Sequence, residues 1–290
     1  MKGRAYPTWF AGLALLLYGV FILLPGVLGF GFSFTDWNSY SNDVHWIGLD
    51  NFAAIFDPNA NYLGAIANTI LFTIATVVLK TVIALGLALL LTTGVRRLAY
   101  LYRAIIYLPA VLPVLVVGLI FQSILEPENG LLNSTLRVVG LGGLAQQWLT
   151  DVSLAIWSVI GVDTWRGVGY IMVILIAGLL AIPRDYYEAA SIDGASAAQA
   201  FRYISLPLLM PVLLVTTILN LLYGLRVFDI VFVLTNGGPG YATQTVYTTV
   251  FDDFSRGRYG IATALSTVFF VVMLAVSFLV IRVMRRGEVA

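Results

Sequence analysis

The sequence has no cysteine, a single histidine and few charged residues. Without cysteine the chain cannot form disulfides, thiolate nucleophiles or zinc–thiolate sites, and His45 alone cannot build a multi-histidine metal site. Charged residues make up 11% of the chain, whereas soluble proteins carry about 25%. The formal net charge of +1 argues against a strongly basic nucleic-acid surface and equally against a strongly acidic one.

A phosphate-binding loop is also missing from the sequence. No stretch matches GxxxxGK[ST], and Lys80-Thr81 follows Val-Val-Leu instead of a glycine-bearing turn. We therefore expect that this chain is not an ATPase and holds no cofactor or metal. Any ATP and magnesium that drive its activity must be bound by another chain.

Apolar residues are abundant: they make up 60% of the chain, and the mean hydropathy is +0.92. A helix needs about 20 mostly apolar residues to cross a bilayer, and backbone groups in lipid must be satisfied within the segment. The sequence predicts an all-α membrane protein with about six transmembrane helices. The predicted spans are residues 9–32, 66–91, 104–125, 155–182, 206–225 and 261–283.

The distribution of lysine and arginine predicts the orientation of these spans, because cytoplasmic loops carry the excess of cations. With both termini in the cytoplasm, the inside segments hold Lys2, Arg4, Arg96, Arg97, Arg103, Arg184, Arg202, Arg282, Arg285 and Arg286. The outside segments hold Arg137, Arg256 and Arg258. The first span is too long for a signal peptide, so we expect it to be retained as an anchor in a prokaryotic cell membrane.

Ionisable residues inside spans suggest a path for a solute, since each unpaired charge at the bilayer centre costs about 2.5–3.5 kcal/mol. Asp163 and Arg166 lie three residues apart, as do Arg226 and Asp229 at the outer end of the fifth span. Each pair can neutralise itself along one helix, or it can line a polar path. Lys80 has no neighbour of opposite sign in the sequence and must either find one across helices or face water.

Four further side chains are candidates for this path, because sugar sites combine polar groups with aromatic platforms in a pocket. They are Trp165, Tyr170, Asn220 and Tyr223. Aromatic residues in membrane proteins also serve as interface anchors, so packing is the alternative.

The connection between spans four and five, residues 183–206, has the local chemistry of a helix, a break and a second short helix. Pro183 suits the first helical position, Gly194 suits the left-handed residue beyond the helix end, and Ser196 suits an N-cap. Pro207 is expected to mark the re-entry into the membrane. Propensity alone leaves open whether this helix lies on the membrane or docks a partner.

The same segment resembles the EAA motif of ABC importer permeases. The matching string runs from Tyr187 through Glu188, Ala189, Ala190, Ser191, Ile192, Asp193 and Gly194 to Ala195, and Phe201, Arg202, Ile204, Leu206 and Pro207 follow at the motif's spacing. The resemblance implies that Tyr187, Glu188, Ala189, Ala190, Asp193, Gly194 and Ala195 couple the chain to a separate ATPase.

Further segments are similar to the MalF-type sugar permeases. They are residues 32–37 (Phe-Ser-Phe-Thr-Asp-Trp), 48–52 (Gly-Leu-Asp-Asn-Phe), Asn68-Thr69, Arg103 with Pro109, Trp165 with Gly169, Phe228-Asp229-Ile230 and 235–239 (Thr-Asn-Gly-Gly-Pro). The resemblance implies a type I ABC importer transmembrane domain with a carbohydrate or glycerol-phosphate-type substrate. It also implies a second, MalG-like permease, two ATPase subunits and an extracytoplasmic solute-binding protein.

On this interpretation the chain has three parts. Residues 1–65 form the first span and an external loop, residues 66–284 form the transport core, and residues 285–290 form a cytoplasmic tail. Two other classes remain as alternatives. An ion-gradient-driven secondary transporter would show broken helices with carboxylates at mid-membrane, and an intramembrane enzyme would need a nucleophile with a base or a metal cluster.

Overall fold

A computed structural model describes residues 9–94 and 97–287, and this part of the chain is built from helices. Lys2, Arg4 and Arg96 of the predicted cytoplasmic set lie outside the described residues. The α-helices are α1 (Trp9–Tyr18), α2 (Leu24–Phe32), α3 (Asp50–Ile55), α4 (Tyr62–Leu89), α5 (Ala99–Val111), α6 (Val114–Ile124), α7 (Leu131–Val138), α8 (Ala155–Leu180), α9 (Arg184–Ile192), α10 (Ala197–Ala200), α11 (Leu206–Leu225), α12 (Asp229–Thr235), α13 (Val246–Ser255) and α14 (Tyr259–Gly287). Short π-helical turns at Gly19–Leu23, Leu90–Gly94 and Phe201–Ser205 extend α1, α4 and α10 without a break.

Five stretches of the described chain are long and apolar enough to cross a membrane: Ala11–Phe32, Tyr62–Gly94, Ala155–Leu180, Ala197–Leu225 and Tyr259–Leu279. The helix that carries the fifth predicted span begins before Pro207, because the π-helical turn at Phe201–Ser205 joins α10 to α11 in one continuous stretch, Ala197–Leu225. The point at which this helix enters the membrane, predicted at Pro207, stays a prediction.

The predicted third span is two helices that meet at a bend of 96°. The prediction of one continuous helix over residues 104–125 was wrong. Leu112 ends α5 with ψ 139°, and Pro113 is the N-cap of α6 with ψ 133°, so both residues are extended. A proline disfavours the helical conformation of the residue before it and lacks the N–H that would continue the ladder. Counting the bent pair as one gives six candidate spans.

The chain divides into two compact units. One combines residues up to Leu63 with Thr249–Leu274, and the other combines Gly64–Thr248 with the residues from Ala275 onward. The assignment of functional parts at residues 65 and 284 stays a prediction.

In the first unit, the segments that resemble sugar permeases fasten the loop after α2. Thr35 and Trp46 form an isolated antiparallel bridge, and the ring of Phe34 stacks on that of Trp46 with centroids 5.2 Å apart. The amide of Asn51 donates hydrogen bonds to the carbonyls of Ser33 (3.0 Å) and Thr35 (2.8 Å). The loop is therefore an ordered element.

In the second unit, α8 is the central helix. In its apolar stretch 61% of the residues are buried, and the helix packs against α5, α11 and α12. Its two halves belong to two apolar clusters. One cluster contains Ile156 and Ile160 with Phe72 of α4, and the other contains Met172 and Leu175 with Ala84 of α4. The short stretch of α4 and α8 between these clusters carries the charged residues.

Gly169 lets α5 approach α8 closely. A methyl group added at Gly169 would overlap the carbonyl of Ile106 and lie 2.8 Å from the Cα of Tyr107, whereas Gly161 on the same helix has open space around it. We expect Gly169→Ala to lower the free energy of unfolding by about 1–3 kcal/mol, since overpacking forces the backbones apart. We expect Gly161→Ala to be neutral or stabilising by up to about 1 kcal/mol. Thermal unfolding of the two variants in lipid nanodiscs measures the difference, and equal stabilities would contradict the close packing.

Candidate functional site

Two cations and a carboxylate lie together in the middle of the long helices. The side chains of Lys80 on α4 and Asp163 on α8 are 3% and 0% exposed, and that of Arg166 is 14% exposed. Placing charges at this depth is expensive unless they are paired. The three groups therefore depend on one another.

Asp163 is the centre of this group, and both of its oxygens are used. Nζ of Lys80 donates to Oδ2 over 2.6 Å, and the hydroxyl of Tyr223 donates to Oδ1 over 2.8 Å. A guanidinium nitrogen of Arg166 donates to the Tyr223 hydroxyl over 3.0 Å and lies 3.9 Å from Oδ1. Nζ of Lys80 also lies 4.7 Å from the centre of the Tyr223 ring, within the range of a cation–π contact.

Self-pairing of Asp163 and Arg166 along α8 is thus the weaker of the two ion pairs. The tighter partner of Asp163 is Lys80, 83 residues away in the sequence. The expectation that Lys80 finds its partner across helices is confirmed. The pairing joins α4, α8 and α11 at one level.

A cavity of about 180 Å³ opens beside this group. Its lining includes predicted residues from two helices, namely Arg166 and Tyr170 of α8 and Asn220 and Tyr223 of α11. It also includes residues that we did not predict: Lys80, Tyr107, Ala110, Gly167 and Leu219. Lys80 could have been predicted at the cavity, because it is a charged residue in the middle of a span without a neighbour of opposite sign. Nothing in the sequence distinguishes Tyr107 or Leu219 from ordinary aromatic or apolar helix residues.

Two hydrogen-bond donors at this cavity lack a partner. They are Nε of Arg166 and Nδ2 of Asn220, whose atoms are buried. A buried donor without an acceptor costs about 1–3 kcal/mol. Both atoms are shielded from the cavity in this conformation, so a molecule in the cavity can accept from them only after the side chains rotate.

Four predicted path residues do not line this cavity. Asp163 is fully buried behind it, where it pairs with the lining residues Lys80 and Tyr223. Trp165 points elsewhere and packs its ring against that of Phe121, with centroids 5.1 Å apart. Arg226 is the C-cap of α11 and Asp229 is the first residue of α12, so a helix break separates them. Of the two alternatives for this pair, pairing along one helix is ruled out, since the chain turns at residues 226–228.

The second predicted site, residues 183–206, has the expected local structure. Helix α9 has Pro183 as its N-cap, one position before the predicted place. Gly194 follows the helix with φ +74°, and Ser196 caps α10 in a capping box with Gln199. The conformation of this segment is therefore specified by its own residues.

Helix α9 is held at one side and exposed at the other. The hydroxyls of Tyr187 and Ser205 are 2.9 Å apart, which fastens α9 to the start of the span that continues into α11. Glu188, Ala189, Asp193 and Gly194 are exposed, and Ala190 and Ala195 are half-buried. Ile192 is 86% exposed. A short helix that presents an apolar residue so fully can dock a partner surface.

Comparison with known proteins agrees with this picture. Residues 81–287 match the model of the family described as "Binding-protein-dependent transport system inner membrane component". The chain is 36% identical to the trehalose/maltose transport system permease protein MalF of Thermococcus litoralis, over 92% of this chain and 89% of that protein. It is 33% identical to the probable ABC transporter permease protein YurN of Bacillus subtilis, over 94% of each.

A solved structure has the same fold. It is a chain from the crystal structure of a bacterial ABC transporter involved in the import of the acidic polysaccharide alginate, with a TM-score of 0.83, 24% identity and 96% of each chain covered. This likeness confirms the predicted fold class of an all-α membrane domain. The orientation of the termini stays a prediction.

Proposed function

The chain belongs to the family of binding-protein-dependent transport system inner membrane components, and from this membership we propose that it is a permease subunit of an ATP-driven importer of a sugar or a related polyol- or glycerol-phosphate-type solute. The sugar assignment is supported by relatives such as the trehalose/maltose permease, which covers nearly the whole chain. The energy comes from ATP hydrolysed by partner subunits. We do not propose an enzymatic activity for the chain itself.

The exposed helix α9 carries the proposed coupling role. Its EAA-like residues Glu188, Ala189, Asp193 and Gly194 are exposed on the described chain, as is the apolar Ile192. With the predicted orientation, α9 faces the cytoplasm, where it would insert into a groove of the ATPase. Because Tyr187 is hydrogen-bonded to Ser205, a displacement of α9 is transmitted to α11.

Helix α11 in turn contributes Asn220 and Tyr223 to the cavity beside Lys80 and Arg166. Movement of α11 relative to α8 would open or close this cavity, which we propose as the solute site of this chain. ATP and the loaded binding protein would both favour the same conformation and so shift one equilibrium. The carboxylate at this depth, Asp163, is already paired with Lys80, so the geometry does not favour an ion-gradient-driven transporter.

The partners follow from the same role. We propose a second, MalG-like permease, two ATPase subunits and an extracytoplasmic binding protein that delivers the solute to the outer loops. Purification of the tagged chain from its native membranes tests this assembly. We expect a chain with a GxxxxGK[ST] phosphate loop to copurify, and ATP hydrolysis by the complex to rise when loaded binding protein is added. Solute uptake by vesicles that contain this chain without any ATPase would refute the proposal.

A further inference from the structure

The charges around the cavity do not cancel. Among the residues that line it, Lys80 and Arg166 are the charged ones, and their ion-pair partner in the described chain is the same carboxylate, Asp163. Two cations and one anion leave one formal positive charge. Lys80 takes the closer position at 2.6 Å, and Arg166 stands at 3.9 Å, so the surplus charge belongs mainly to Arg166.

The unsatisfied hydrogen-bonding groups near the cavity, like its surplus positive charge, favour a ligand that accepts hydrogen bonds. Nε of Arg166 and Nδ2 of Asn220 can only donate, and both are buried without an acceptor. Asn220 is 6% exposed, so bulk water does not satisfy it freely. The residues that line the cavity therefore carry a surplus cation and two unused donors, which a solute reaches once the side chains of Arg166 and Asn220 rotate toward it.

We propose, on the basis of the proposed importer function, that this cavity selects a solute carrying one negative charge on a hydroxyl-bearing frame. The charge is a carboxylate or a phosphate that accepts hydrogen bonds from Arg166, and hydroxyl or ring oxygens accept from Asn220. A neutral sugar supplies acceptors but leaves the surplus positive charge without a counterion. An acidic solute supplies both.

The size of the cavity limits the part of the solute that it holds. A cavity of about 150 Å³ accommodates benzene, so the 180 Å³ found here has room for one six-membered sugar ring or a glycerol phosphate. Tyr107, Tyr170 and Tyr223 provide aromatic surface in the lining. The cavity thus binds one unit of the solute and selects that unit chiefly by its charge.

Equilibrium binding to the assembled importer in lipid nanodiscs, without binding protein, tests this selection. The probes are two pairs, glucuronate with glucose and glycerol 3-phosphate with glycerol, at equal ionic strength. Hydrogen bonds to charged groups are about twice as strong as neutral ones, so we expect at least one acidic probe to bind about tenfold more tightly than its neutral counterpart. The pair that shows the preference distinguishes a carboxylate from a phosphate.

Arg166→Gln removes the surplus charge and keeps an N–H donor, so we expect the preference to fall to about one. Arg137→Gln is the matched control, because Arg137 is exposed on α7 and bonds to the carbonyls of Glu128 and Pro127; it should keep the preference. The proposal is overturned if neither acidic probe binds more tightly than its neutral counterpart, or if the preference survives Arg166→Gln. In either case, ATP hydrolysis that still responds to loaded binding protein would leave the importer function intact.

Discussion

Replacing Ala189 by aspartate is expected to abolish ATP-driven uptake while the chain stays in the membrane in normal amounts. Ala189 is exposed on α9, so the charge costs the isolated chain little. In a groove of the ATPase, the same carboxylate would be buried without a partner, which costs about 3 kcal/mol or more and weakens docking more than about a hundredfold. Uptake and ATP hydrolysis of reconstituted importer measure the effect. Ala190→Asp is expected to act in the same direction, although Ala190 is half-buried.

Ala198→Asp provides the matched control for this experiment. Ala198 is also exposed and lies in the neighbouring helix α10, within the segment 183–206 but outside α9, the helix whose docking is tested. We expect this variant to transport at the rate of the unaltered chain. Normal uptake with Ala189→Asp, together with normal stimulation of ATP hydrolysis, would contradict the docking role of α9.

Asp163→Asn is expected to lower the free energy of unfolding by about 3–5 kcal/mol, because it leaves Lys80 as an uncompensated charge in the interior. Lys80 and Asp163 have side chains that are 3% and 0% exposed, so the charge left on Lys80 would remain largely buried. Tyr223 would also lose a charged acceptor for its hydroxyl. Denaturation of the purified chain in nanodiscs measures the loss of stability.

The double variant Lys80→Met with Asp163→Asn separates this explanation from a simple loss of packing. Removing both partners of a buried ion pair is often close to neutral, so the double variant should be more stable than Asp163→Asn alone. Asp43→Asn, at an exposed loop position, should change stability by no more than about 0.5 kcal/mol. Additive losses in the double variant would show that the two groups do not depend on each other.

The coupling segment was largely predictable from the sequence, because its conformation is local. A proline at the start, a glycine at the left-handed position and a serine cap with its glutamine partner each act within a few residues. Gly194 and Ser196 therefore occupy their predicted places. The lengths of the apolar runs likewise predicted the transmembrane spans, since a bilayer imposes a minimum run of apolar residues.

The solute cavity was only partly predictable, because it depends on contacts between distant residues. The sequence identified the lining residues Arg166, Tyr170, Asn220 and Tyr223, and Asp163 behind them, by type and position, but pairing along one helix was an equally open alternative for the charged residues. Trp165, Arg226 and Asp229 have equally suitable side chains, and they lie elsewhere because helix rotation and the break at residues 226–228 direct them away.

The sequence by itself thus determined the membrane class, the number of spans and the shape of the exposed coupling helix, since these follow from run length and from chemistry within a helical turn or two. Only the tertiary structure decided that Lys80 is the close partner of Asp163 and that α5 and α6 meet at 96°. It also decided that α5 packs closely against α8 at Gly169. The physical reason is that the energy of a buried charge or a close backbone contact depends on distances between helices, and no spacing along the chain encodes those distances.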